Sequence, residues 1–256
     1  MRRQKLEYYF DLISVLTKKE IKIRYKSSML GYVWSIANPM LYALIFYFVF
    51  KVIMRFQIKE YSLFLICGLF PWQWINNSIL SSTMSFVGNV SLIKKVAFPR
   101  LFLPLAQVLN DGFHFIVSIP VIVVFLLFYG RLPSLSWLLL VPFMLIPTFL
   151  IIYGFSLAIS SINVFFRDLQ YLVNLIMMVL FYLTPVFYSI RFVPEKYRYL
   201  VYANPFTPVV LSWRSLFMHN TIDINNYLIS LLYGVVALLA GLFIYGKLKD
   251  RFAEMI

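Results

Sequence analysis

The sequence predicts an all-α, polytopic membrane protein with six transmembrane helices, an N-terminal amphipathic helix and short helices in its last outer loop. Three observations predict it. Of 256 residues, 62% are hydrophobic and only 13% charged, where a soluble domain runs about 45–50% apolar and about 25% charged. Six stretches of 19 to 35 residues hold no Asp, Glu, Lys or Arg: 27–50, 61–93, 112–130, 132–166, 169–190 and 224–246. A spanning helix needs about 20 such residues. The basic residues, finally, sort by flank. Fifteen fall on the side of both termini and eight on the other, which places both termini in the cytoplasm. The same figures exclude a disordered chain, and the single cysteine, Cys67, excludes a disulfide-stapled one. A net charge of +13 commonly signals nucleic acid, but charges set between greasy segments read better as topology.

The expected spans are 33–51, 62–87, 104–128, 137–162, 170–189 and 227–246. Ahead of them, residues 1–30 form one unit and 31–250 a single transmembrane domain. Leu6, Tyr9, Leu12, Ile13, Leu16 and Ile23 share a stripe about 120° wide at helical spacing, with Lys18, Lys19, Lys22 and Lys26 off it. A basic amphipathic helix of this kind lies along the cytoplasmic membrane face; Glu20 inside the apolar stripe is the one discordant residue. No cleavable signal peptide is expected, because the first apolar run begins about thirty residues in and lacks a small-x-small site.

Polar and aromatic faces mark the spans in turn. In the first, Tyr42, Phe46 and Phe50 recur at every fourth residue. In the second, Ser78 with Ser82 and Ser81 with Ser85 make small-xxx-small pairs suited to close helix packing. In the third, Gln107, Asp111, His114 and Ser118 share one face, either a water-lined proton path or a hydrogen-bonded helix contact. In the fifth, Tyr171, Asn174, Met178, Phe181, Pro185 and Tyr188 carry aromatic and amide groups along one side. Such faces belong to lipid or core, or else to a passage for sugars, whose C–H faces slide over aromatic rings. The segment 189–226 holds two short apolar pieces parted by Asn204-Pro205. Neither is long enough to cross, so a re-entrant or interfacial pair is expected, capping a pore or simply packing.

Chemistry of catalysis is not legible. Gly241 to Lys247 fits a phosphate-binding loop until Leu248 stands where a Mg²⁺-binding hydroxyl is needed, and the segment ends a span instead of joining strand to helix. Glu60, Glu195 and Asp223 are scattered, and His114 and His219 are the only histidines, so neither a carboxylate pair nor a His-based metal site is expected. No catalytic, cofactor-binding or metal-binding residue is assigned.

Several strings nevertheless resemble a known family. Arg24-Tyr25-Lys26-Ser27-Ser28-Met29-Leu30-Gly31-Tyr32-Val33-Trp34, with Asn38-Pro39 after it, is similar to the approach to the first span of ABC exporter permeases for polysaccharides. Gly68-Leu69-Phe70-Pro71-Trp72, the stretch 92–100, Phe165-Phe166-Arg167-Asp168 and Tyr202-Ala203-Asn204-Pro205 resemble that family in the same order. O-antigen permeases look nearest, with capsule and teichoic acid permeases sharing much of the pattern. The resemblance implies a homodimer in the bacterial inner membrane, bound to two ATPase subunits that hold the ATP and Mg, with no cofactor in this chain. Its cargo is a glycan on a polyprenyl pyrophosphate lipid. By the same resemblance Tyr42, Phe46, Phe50, Tyr171, Asn174, Met178, Phe181 and Tyr188 line the conduit. Leu92, Ile93, Lys94, Lys95, Phe98 and Pro99 couple to the ATPase, and Tyr202, Asn204 and Pro205 belong to an outer gate. Arg24, Lys26 and Arg100 meet the lipid pyrophosphate, or else serve as positive-inside anchors. A stand-alone channel or secondary transporter, with Asp111 and His114 as its proton relay, is the competing class.

Overall fold

The computed structural model describes residues 2–24 and 33–255, and among these every regular element is helical. Lys26 and most of the motif from Arg24 to Trp34 lie outside the described residues. Helix α1 is Arg2–Arg24 and α2 is Trp34–Phe46, continued by a wider π-helical stretch, Tyr47–Ile53. Next come α3, Tyr61–Thr83; α4, Val90–Lys95; α5, Phe102–Phe128; and α6, Trp137–Asn163. Then follow α7, Leu169–Leu183; α8, Glu195–Ala203; α9, Phe206–His219; α10, Ile224–Leu248; and α11, Phe252–Met255.

Helices occupy all six segments expected to span, though not equally. Among the described residues α3, α5, α6 and the stretch Ile224–Arg251 are long and apolar enough to cross a membrane, while Met40–Ile53 and Leu169–Leu183 are shorter apolar helices. The expected fifth segment, 170–189, is cut at Leu183 for a local reason. Pro185 disfavours helical backbone at the residue before it, and Thr184 is extended, with ψ 133°. Internal prolines elsewhere (Pro71, Pro120, Pro142 and Pro147) leave α3, α5 and α6 continuous, as neighbouring helices permit in an apolar bundle.

Helix α3 is the hub. It packs on α2, α5, α6, α7 and α9, and its faces bury Leu63, Leu65, Ile66, Cys67 and Ile75 completely. The pair α6 and α10 runs together along its length, in backbone contact where Gly154 faces Gly241. The two small helices expected between residues 189 and 226 are α8 and α9, parted at Asn204-Pro205. Asp223 starts α10 by accepting from the Asn225 and Asn226 amides at 3.0 and 3.3 Å, an N-cap that satisfies two otherwise orphaned donors.

Helix α1 is tied into the bundle. Tyr9 meets the Phe102 ring at 5.5 Å, Leu16 is buried, and Gln107 of α5 donates to Glu20 at 2.6 Å. Glu20 thus ceases to be discordant: the apolar stripe faces α5, and its acid finds an amide there. One turn further, Arg24 pairs with Asp111 at 2.6 Å. Both pairs join residues four apart on each helix, so the last turn of α1 runs parallel to α5.

Candidate functional site

A cavity of about 890 Å³ opens among α1, α2, α3, α5 and α7, within the size range of small-molecule sites. Trp34, Tyr42 and Phe46 of α2 and Met177, Met178, Phe181 and Tyr182 of α7 form one side. Helix α3 supplies Trp72, Gln73, Trp74, Asn76, Asn77, Leu80 and Ser81, and α5 supplies Asp111, His114, Phe115 and Ser118. The cavity is therefore polar towards Arg24 and Asp111 and aromatic towards Phe46 and Phe181.

At the polar end Asp111, whose side chain is 1% exposed, holds the Arg24 guanidinium and accepts from Ser81 Oγ at 3.2 Å. A carboxylate so far from water needs a partner. Arg24 supplies it while keeping 31% of its side chain exposed in the cavity. The polar face of the third span is thus a set of contacts between helices on one side and a cavity wall on the other: Gln107 binds Glu20, while Asp111, His114 and Ser118 border the cavity.

The aromatic end is a cluster of stacked, tilted and edge-on rings. Phe46 lies 5.8 Å from Phe50 and 5.6 Å from Phe181, and Trp72 meets Phe181 at 5.6 Å and Phe206 at 5.9 Å. Of the residues expected to line a conduit, Tyr42, Phe46, Met178 and Phe181 border the cavity. Phe50 is instead packed between Phe187 at 4.8 Å and Phe56 at 5.2 Å. Tyr188 lies past the end of α7, and its hydroxyl donates back to Leu183 O at 3.0 Å. Tyr171 and Asn174 are exposed on the first turns of α7, where Asn174 donates to Gln170 O at 2.9 Å.

The segment expected to couple to an ATPase is α4 and the turn after it. Lys94 and Lys95 are exposed, while Leu92, Ile93, Phe98 and Pro99 are half-buried. A second hollow of about 330 Å³ lies between Phe98, Pro99 and Arg100 on one side and Tyr245, Lys249 and Asp250 on the other. Arg100 donates to Lys249 O at 3.2 Å, and Phe252 fills the space beside Phe86 at 5.0 Å. This segment is therefore braced by the end of α10.

At the opposite end, Asn204 is buried and central. Its amide donates to Thr184 Oγ1 at 2.7 Å and its oxygen accepts from the Phe206 amide at 3.0 Å. One side chain thus starts α9 and joins it to the end of α7. Pro205 opens the turn, and Tyr202 O accepts from Tyr233 of α10 at 3.1 Å.

Two sets of residues escaped sequence reasoning. Gln73, Asn76 and Asn77 are the first, although Gln73, Asn77 and Ser81 recur at every fourth residue, the same kind of spacing that marks the third span. Arg214, the second, is in the sequence one of the eight basic residues on the outer side. It is buried in α9, donating to Phe64 O at 3.2 Å and Val186 O at 2.6 Å, with its guanidinium 3.8 Å over the Phe64 ring.

Comparison with known proteins agrees with this architecture. Two O-antigen export system permease proteins of Klebsiella pneumoniae are each 49% identical to the chain over 253 residues, covering 98% of it and 97% of theirs. One of the same description from Myxococcus xanthus is 31% identical, covering 99% of this chain and 98% of its own. Residues 11–218 match the ABC-2 type transporter membrane family. An all-helical bundle with apolar helices long enough to cross a membrane, matched to that family from α1 through α9, belongs to the ABC-2 type transporters as a transport subunit.

Proposed function

We propose that the chain is the permease subunit of an ATP-driven exporter that moves a lipid-linked polysaccharide, O-antigen, across the cytoplasmic membrane. The observation that carries this reading is the full-length 49% identity to proteins described as O-antigen export permeases. The cavity supports it: aromatic and methionine side chains on α2 and α7 with amides on α3 suit a polar polymer with apolar C–H faces. In this reading the six helical segments all span, the shorter α2 and α7 included, with both termini cytoplasmic. Two copies face each other so that two cavities form one conduit. The surfaces of α2 and α7 fit this role, since Tyr42, Leu44, Phe48, Leu175 and Tyr182 are exposed.

The energy comes from two ATPase subunits that bind ATP and Mg. Exposed Lys94 and Lys95 of α4 meet them, and because Arg100 and Phe98 abut the end of α10, motion of α4 reaches the closely packed pair α6 and α10. The headgroup of the lipid, a polyprenyl pyrophosphate, is drawn to the basic inner face, where Arg24 borders the cavity. Helices α8 and α9 close the outer end, hinged at Asn204-Pro205.

The test is export by the assembled system. The chain and its ATPase are expressed in cells that make O-polysaccharide but lack their own permease, and surface polymer is read on gels with the ATPase Walker lysine intact or substituted. ATP-dependent appearance of long-chain surface polymer is the expected result. Assembly of both subunits without any surface polymer overturns the reading.

A further inference from the structure

We propose that the α3 face carrying Gln73, Asn76 and Asn77 reads the hydroxyl pattern of the glycan and determines which polymer the cavity accepts. The inference rests on the exporter reading above and assigns residues to glycan selection that the aromatic walls cannot supply.

The first observation is that these amides are open. Gln73, Asn76 and Asn77 border the cavity, and none is hydrogen-bonded to another described residue. Several other amides in the bundle are engaged: Gln107 with Glu20, Asn89 with Ser85 O, Asn204 with Thr184 and Asn226 with Asp223; Asn110 of α5 is also unpartnered, but it is buried away from the cavity wall. Three uncommitted amides in the middle of a spanning helix are costly unless they meet water or a polar ligand.

The second observation is pitch. Gln73 and Asn77 are one turn apart, and the next step, Ser81, is taken up by Asp111, which marks the inner end of the row. Four residues advance a helix by about 6 Å, close to the advance of one pyranose residue along an extended glycan. Across the cavity Tyr42 and Phe46 on α2, and Met178 and Tyr182 on α7, repeat at the same interval. A polymer lying along α3 thus meets one amide and one aromatic face per sugar.

The chemistry divides the labour. An aromatic face accepts the C–H side of any pyranose and discriminates little. A carboxamide offers donors and an acceptor together, so it engages neighbouring hydroxyls in one relative orientation. A site built to hydrogen-bond a hydroxyl rejects a sugar that lacks it far more strongly than an apolar wall can.

The experiment uses the permease–ATPase complex in nanodiscs and the O-polysaccharide of the same strain, released from its lipid by mild acid, with dextran as the comparison polymer. Trp34, Trp72 and Trp74 border the cavity, so their emission reports occupancy. Wild type should respond saturably to both polymers and prefer the strain's own. Gln73→Leu and Asn77→Leu should each raise half-saturation for that polysaccharide about 3- to 10-fold and leave dextran nearly unchanged, so the ratio collapses. Asn77→Gln should recover part of it. Phe46→Leu should weaken both polymers alike and leave the ratio unchanged, so a ratio that collapses in the amide variants is not a general loss of folding. An unchanged ratio in both leucine variants overturns the inference. So does a wild type that exports in the cell assay above yet shows no preference between the two polymers here. Failure of the wild type to export any polymer in that cell assay overturns the exporter reading itself.

Discussion

Helices α6 and α10 meet backbone to backbone at Gly154 and Gly241, and a single added methyl group there should part them. A Cβ on Gly154 runs into the Ala237 carbonyl and the Leu238 amide nitrogen. One on Gly241 runs into the Gly154 carbonyl, with Gly154 C at 3.1 Å and Cα at 3.2 Å. These obstacles are main chain and cannot rotate aside, so the helix axes must separate by about 1 Å, which forfeits contact along both helices. Overpacking of this kind costs about 2–3 kcal/mol, less the roughly 1 kcal/mol that alanine gains over glycine inside a helix. Gly154→Ala and Gly241→Ala should therefore each lose about 1–2 kcal/mol. Gly234 is more forgiving, with Leu150 Cβ at 2.9 Å and Pro147 O at 3.1 Å, and Gly246 meets nothing within 4 Å. Gly246→Ala should then be neutral or gain up to about 1 kcal/mol. The assay is loss of helical circular dichroism as SDS is titrated into dodecyl maltoside micelles. The expected order of midpoints is Gly246→Ala, wild type, Gly234→Ala, then the other two. Midpoints for Gly154→Ala and Gly241→Ala equal to that of Gly246→Ala would refute the reasoning.

Other outcomes follow from the polar contacts. Arg24→Gln should cost about 3 kcal/mol, because it strands a carboxylate that is 1% exposed, and Asp111→Asn should cost less, because Arg24 already reaches the cavity. The double variant should recover part of the loss in the same SDS titration; strict additivity would show that the pair is not coupled. Arg214→Lys should lose about 2 kcal/mol, since a single ammonium cannot serve Phe64 O and Val186 O while lying flat on the Phe64 ring. Cys67, the lone cysteine, is fully buried beneath it, so maleimide labelling should accelerate in that variant, and an unchanged rate would show that Arg214 closes nothing. Lys94→Glu with Lys95→Glu should abolish stimulation of the ATPase without moving the unfolding midpoint, both side chains being exposed; full stimulation would remove them from coupling.

The legible part of this protein is the part that periodicity encodes. Six apolar segments, two short helices parted at Asn204-Pro205, and the aromatic faces of α2 and α7 all follow from residue type and spacing along a single helix. What misled was meaning that depends on a neighbour. Glu20 reads as a flaw in an amphipathic stripe because Gln107 lies 87 positions away in the chain. Gly241 opens a phosphate-loop spacing that Leu248 already excludes, but only the structure shows that its missing side chain lets Gly154 approach. Arg214 counts as one more outer charge until Phe64 and Val186 are seen to receive it. The amides of α3 carried a visible four-residue spacing, yet the serine pairs beside them gave a sufficient packing account of the helix.

Composition and charge order alone determined that this chain lives in a membrane, how many apolar segments it has, and which flank is basic. Those properties sum over residues and need no contacts. Only the tertiary structure decided which faces turn inward. Helices in an apolar medium choose partners by close packing and by satisfying isolated polar groups, and both depend on surfaces from distant parts of the chain. Asp111 became the anchor of Arg24, and Gln73, Asn76 and Asn77 became the wall of a cavity, because α1, α2 and α7 happened to gather around α3.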